Sequence, residues 1–79
     1  MMTSLPVIRL DASGMICPLP VLKARKALKS AAIGQHLMVI ATDPGAAKDF
    51  KAFCETTGNT LIDTIPEGNA TTYVIRRDR

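Results

Sequence analysis

Residues 7–20 run Val7-Ile8-Arg9-Leu10-Asp11-Ala12-Ser13-Gly14-Met15-Ile16-Cys17-Pro18-Leu19-Pro20. The first half alternates: Ile8, Leu10 and Ala12 fall on one face and Val7, Arg9 and Asp11 on the other, the period-two pattern of a strand with one buried side. Ser13-Gly14 interrupts it as a loop. Cys17-Pro18-Leu19-Pro20 then marks a helix start, because proline has no N–H and fits a helix only in the first turn, where that group lacks a partner anyway. The two prolines predict Cys17 at the N-cap and a helix from Pro18 to about Ala31. Val21, Ala24, Leu28 and Ala31 recur at helical spacing as its core-facing stripe. Lys23, Arg25, Lys26 and Lys29 occupy other faces, and Gly34 lies in the loop beyond.

Leu37 to Ala41 is an unbroken apolar run, the mark of a central strand paired on both sides. Asp43-Pro44 follows at once, which predicts Asp43 as N-cap and Pro44 as first residue of a second helix. That helix runs to about Thr57, with Gly58 as its stop and Ala46, Phe50, Phe53, Cys54 and Thr57 facing inward. Thr60–Ile65 and Ala70–Arg77 read as two further strands. The turn residues Pro66-Glu67-Gly68-Asn69 join them as an antiparallel hairpin. The order is strand, helix, strand, helix, strand, strand. A right-handed crossover makes the first two strands parallel and lays the first helix on the sheet. The expected fold is therefore α+β: a two-layer sandwich in βαβαββ order, with both helices on one face of a mixed four-stranded sheet and the other face partly exposed.

Seventy-nine residues suffice for one domain, expected over residues 1–79 with residues 1–6 as a flexible terminus. Hydrophobic content of 47% with only 4% aromatic predicts an aliphatic core. No apolar run approaches the roughly 20 residues of a membrane helix. Residues 1–6 lack the basic start and apolar centre of a signal peptide. Two cysteines in such a chain suit reduced thiols and a cytoplasmic location. A net charge of +3 suits contact with acidic protein surfaces and argues only weakly for nucleic acid.

Both helices begin where a parallel strand ends, so both N-termini open on the same sheet edge, where ligands and chemistry gather in α/β units. Cys17 and Asp43 share that edge. His36, the one histidine, stands at the opposite edge, which disfavours it as a base for Cys17; it reads as an exposed strand-end residue. At the N-cap the helix dipole favours thiolate over thiol. Of the amides an N-cap side chain can reach, Pro20 has none, which leaves Leu19 N–H as the donor to sulfur. Dipole and hydrogen bond together can draw a cysteine pKa from about 8.5 into the range of roughly 3.5–7.5. The expectation is an exposed, moderately acidic thiol with no acid–base group beside it. The competing reading is a buried cysteine that merely packs. Cys54, on the inward stripe one turn after Phe50, reads as core filler too deep to reach Cys17. A dithiol redox site would need a second cysteine where Pro20 stands. Two distant cysteines and a distant histidine make no metal site.

The chain resembles the TusA/SirA-like sulfur carriers through Leu10-Asp11, Gly14, Cys17-Pro18-Leu19-Pro20, Gly34, Asp43-Pro44, Asp49, Phe53-Cys54 and the basic strand Tyr73 to Arg77. The resemblance implies a fold like the C-terminal domain of translation initiation factor three. It implies a sulfurtransferase-type relay protein rather than a stand-alone turnover enzyme, without a cofactor, that accepts sulfane sulfur as a persulfide on Cys17. Asp11, Gly14, Pro18, Leu19, Pro20, Asp43 and Pro44 would support the motif. The implied partners are a sulfur donor protein, such as a cysteine desulfurase or rhodanese, and an acceptor protein. The relay could serve tRNA 2-thiouridine synthesis, sulfur oxidation, molybdenum-cofactor supply or selenium metabolism. Leu19 replaces the acidic residue of the well-known tRNA-thiolation member, which bears on partner choice.

Lys23, Arg25 and Lys26 would steer an acidic partner, or simply form a solvated helix face. The alternative function is a regulatory or RNA- or protein-binding module in which Cys17 is incidental. Direct nucleic-acid binding is disfavoured, since Phe50, Phe53 and Tyr73 are the only aromatic residues and two of them belong to a core stripe.

Overall fold

The computed structural model describes residues 5–79. Its elements are β1 (Ile8–Ala12), α1 (Leu19–Lys29), β2 (His36–Ala41), α2 (Ala46–Thr57), β3 (Thr60–Glu67) and β4 (Ala70–Arg76). The order is the expected βαβαββ. The strands form one mixed sheet in the order β1-β2-β4-β3. β1 and β2 pair in parallel from Ile8↔Leu37 to Ala12↔Ala41. β4 runs antiparallel to β2, with Leu37 opposite Ile75 and Val39 opposite Tyr73. The apolar run of β2 is therefore flanked on both sides.

Both helices cover one face of the sheet, and a single cluster lies between the layers. Ala12, Leu37, Val39, Ala41, Tyr73 and Ile75 come from the strands, and Ala24, Leu28, Ala46, Phe50 and Cys54 from the helices. Phe50 is fully buried and stacks on Tyr73 with ring centroids 4.7 Å apart. Stacking of this kind adds about 0.5–1.5 kcal/mol beyond the apolar area removed from water. The opposite face exposes Arg9, Asp11 and Ile40 on β1 and β2, as expected of a two-layer fold.

Several boundaries depart from the sequence reading, each for a local reason. α1 begins at Leu19 with Pro18 as N-cap, so Cys17 lies one residue outside the cap. It ends at Lys29, short of Ala31. α2 begins at Ala46 with Gly45 as N-cap, because the Asp43 carboxylate accepts from Gly45 N–H at 2.9 Å and closes a turn first. Pro44 thus belongs to that turn and not to the helix. Gly58 ends α2 in the left-handed region at φ +80°. β3 continues through Pro66 to Glu67, leaving a two-residue turn at Gly68-Asn69. Proline is tolerated there because β3 is an edge strand.

The expectation of a flexible segment over residues 1–6 falls, for residues 1–4, outside the described residues. Pro6 is tied down: its carbonyl accepts from Gln35 Nε2 at 2.8 Å. Arg77 follows β4 and reaches across to the end of α1, where its guanidinium donates to the carbonyls of Leu28 at 3.0 Å, Lys29 at 3.3 Å and Ala31.

Removing the ring that joins α2 to β4 tests this packing. Phe50→Ala should lower the unfolding free energy by about 3–5 kcal/mol, read from urea denaturation. A loss under about 1 kcal/mol would show that the ring is not the core contact described.

Candidate functional site

The loop from β1 to α1 is built by local hydrogen bonds. The Asp11 carboxylate accepts from Ser13 N–H at 2.9 Å, and the Ser13 side chain, followed by that amide, holds its pKa below the ordinary carboxylate value. Met15 N–H closes back on the Ala12 carbonyl at 3.2 Å. Gly14 adopts φ +79°, a region that suits glycine, and its N–H donates to Thr42 Oγ1 at 2.9 Å. The β1–α1 and β2–α2 loops are thereby fastened together on one sheet edge. Asp11, Gly14 and Asp43 shape these loops by hydrogen bonding.

The next residues divide between anchoring and presentation. Pro20 is buried in the core side of α1. Ile16, Leu19 and Leu22 are 69%, 45% and 52% exposed, and Cys17 between them is exposed as well. The Cys17–Pro18 peptide is cis. The reading of Cys17 as a buried packing residue is excluded by that exposure, and the sulfur stands among apolar side chains turned to solvent. His36 pairs with Arg76 at the far end of β2, on the edge opposite the loops.

The electrostatics differ from expectation. Leu19 N–H does not reach the sulfur; it donates to the Ile16 carbonyl at 2.9 Å. Among the described residues no side chain caps α1. Cys17 Sγ instead donates, from the loop before α1, to Asp49 Oδ2 on α2 at 2.6 Å. A carboxylate is acceptor-only, so this bond requires the proton on sulfur. The Asp49 hydrogen bond pushes the Cys17 pKa up from its ordinary value, followed by desolvation and the negative charges of Asp49 and Asp43. The expected acidic thiol with no acid–base group beside it is thus corrected on both counts. Asp49 sits in the first turn of α2, one residue before Phe50. The sequence signal available for it was its place among the residues that carry the family resemblance.

A groove of about 310 Å³ opens beside the sulfur between α1 and α2. Cys17, Pro18, Val21 and Arg25 form one wall, and Asp49, Ala52, Phe53, Thr56 and Thr57 the other. Lys23 and Lys26 are exposed on α1 outside it. Cys54 is buried, and burial, helped by the charge of Asp78, pushes its pKa up to about 11. Both cysteines are free. Among the described residues no group of three or more His, Cys, Asp or Glu is placed to hold a metal ion, and no helix is long and apolar enough to cross a membrane.

Comparison with known proteins matches residues 8–77 to the family model described as Sulfurtransferase TusA. The chain is 52% identical over 68 residues to the sulfur carrier protein TusA of Allochromatium vinosum, a match covering 86% of this chain and 90% of that protein. It is 46% identical over 67 residues to a sulfur-carrier candidate of Neisseria meningitidis serogroup A, covering 85% and 90% respectively. Among solved structures, the SirA-like protein of Desulfitobacterium hafniense superposes with a TM-score of 0.78 at 23% identity, over 91% of this chain and 99% of that one. This last likeness bears out the α+β fold.

Two measurements check the contrast between the cysteines. Iodoacetamide should modify one thiol in the native protein and two in denaturant, with Cys17→Ala abolishing the native reaction. Because Cys54 has a higher pKa folded than unfolded, the stability it contributes is fully present below the unfolded value and lost as pH rises from about 9 to about 11. Unfolding free energy should therefore fall over that interval, and fall less steeply in Cys54→Ala.

Proposed function

The chain belongs to the TusA family of sulfur carriers, and on that premise we propose that Cys17 accepts sulfane sulfur as a persulfide and passes it to a partner protein. The observation that carries this reading is the exposed Cys17 sulfur at the head of the α1–α2 groove, with the other thiol buried elsewhere in the core. A carrier needs an approachable sulfur and no internal thiol able to resolve the persulfide into a disulfide.

In loading, Cys17 Sγ gives up its proton and attacks the terminal sulfur of a donor persulfide. The new Sγ–S bond forms as the donor's S–S bond breaks, and the donor cysteine leaves as a thiolate that takes up a proton. Delivery repeats the exchange with an acceptor thiolate as nucleophile and Cys17 as leaving group. One sulfur atom moves in each step without an external oxidant or reductant.

The donor would be a persulfide-bearing protein such as a cysteine desulfurase or a rhodanese. The acceptor would feed tRNA 2-thiouridine synthesis, sulfur oxidation, or another route that consumes sulfane sulfur. Leu19, exposed beside Cys17, would lie in either docking surface. Exposed Lys23, Arg25 and Lys26 on α1 suit acidic partners. A thiol that must stay reduced between transfers suits the cytoplasm. The burial of Phe50 and Tyr73 leaves half-buried Phe53 as the remaining aromatic ring, a poor platform for stacking bases.

Incubation with inorganic polysulfide should add one sulfur-atom mass to the protein, removable by dithiothreitol. Mass spectrometry should find the adduct abolished in Cys17→Ala and retained in Cys54→Ala. An undiminished adduct in Cys17→Ala would refute the assignment.

A further inference from the structure

Asp49 has a contact that the carrier reading does not by itself require. Its carboxylate is held in place by α2, whose neighbouring residue Phe50 is locked in the core against Tyr73. From there Oδ2 takes the Cys17 sulfhydryl at 2.6 Å, a bond spanning 32 residues of sequence. Among the described residues no basic side chain forms an ion pair with Asp49.

We infer that Asp49 is a positioning residue of sulfur transfer: its carboxylate captures the unloaded Cys17 sulfhydryl as a hydrogen-bond donor at the mouth of the α1–α2 groove and restrains it until that carboxylate is neutralised. The inference rests on the reading of Cys17 as the carrier.

The charges facing the sulfur agree. Asp49 on α2 and Asp43 in the β2–α2 loop are both acidic, and both favour the thiol over the thiolate. Arg25 on α1 lines the same groove and is the cation facing it. Since the thiolate is the nucleophile, the free chain is a restrained carrier. A thiolate beside an ionised carboxylate is disfavoured by like-charge repulsion. The attacking form therefore needs the Asp49 carboxylate paired with a cation, from Arg25 or from the docked donor. In loading, the Cys17 proton passes to water as Sγ attacks, and the donor thiolate that leaves takes up a proton.

The test compares iodoacetamide labelling of wild type, Asp49→Asn and Asp49→Glu across about pH 6–10, an interval that spans ordinary cysteine titration. Asp49→Asn should move the midpoint of the rate profile to lower pH and label about three- to tenfold faster at pH 7, because the thiolate fraction rises as the thiol pKa falls. Asp49→Glu, which keeps the charge, should shift the profile back toward wild type. Equal thermal midpoints establish that the fold is intact, and if Asp49→Asn does not fold, Asp49→Ser takes its place. A midpoint that stays put or rises when the carboxylate is removed overturns the role of Asp49. Polysulfide uptake is measured on the same samples: its absence in wild type overturns the carrier reading, while unchanged labelling in Asp49→Asn overturns the role of Asp49 alone.

Discussion

Parallel pairing of β1 with β2 is the constraint on which the site depends. Two strands that run the same way can be joined only by a crossover, and α1 is that crossover. α2 leaves β2 from the end at which α1 leaves β1, so both helices begin on one sheet edge. Gly14 N–H on Thr42 Oγ1 then binds the two outgoing loops together. Cys17 and Asp49 meet because this topology aligns the starts of two helices: the loop entering α1 brings Cys17 to the shared groove, and Asp49 reaches it from the first turn of α2.

The loop chemistry and the core chemistry have separate tasks here. Asp11, Gly14 and Asp43 form turns, and their polar groups are spent on backbone amides or, for Gly14, on a hydroxyl. Pro20 turns inward and anchors the motif, whereas Ile16, Leu19 and Leu22 turn outward around the sulfur. The motif is thus divided residue by residue between a buried anchor and exposed apolar side chains around the sulfur.

Much of this was legible in the chain itself. The alternation in residues 7–12, the apolar run in residues 37–41 and the turn residues after Ile65 were sufficient to order the elements and to place both helices on one face. Missed details arose where short-range polar groups compete with the helix. Asp43 makes a turn with Gly45 before α2 can begin, which delays its start to Ala46. The Leu19 amide turns to the Ile16 carbonyl instead of the sulfur. Asp49 was visible only as one of the residues that carry the family resemblance, with no partner assigned to it. Its bond to Cys17 depends on the spacing and rotation of two helices, and no local pattern encodes that.

Arg77 gives the site a mechanical property. α1 is 11 residues long, about 16 Å at 1.5 Å per residue. The sulfur is presented by the residue just before its N-cap, and its far end is gripped by the Arg77 guanidinium. A rod of that length pivoting by about 4° at the gripped end would swing its tip by about 1 Å, enough to spoil the alignment of reacting atoms. Accuracy at the sulfur is therefore set in part by a clamp at the opposite end of the lever, supplied by the residue that follows the last strand.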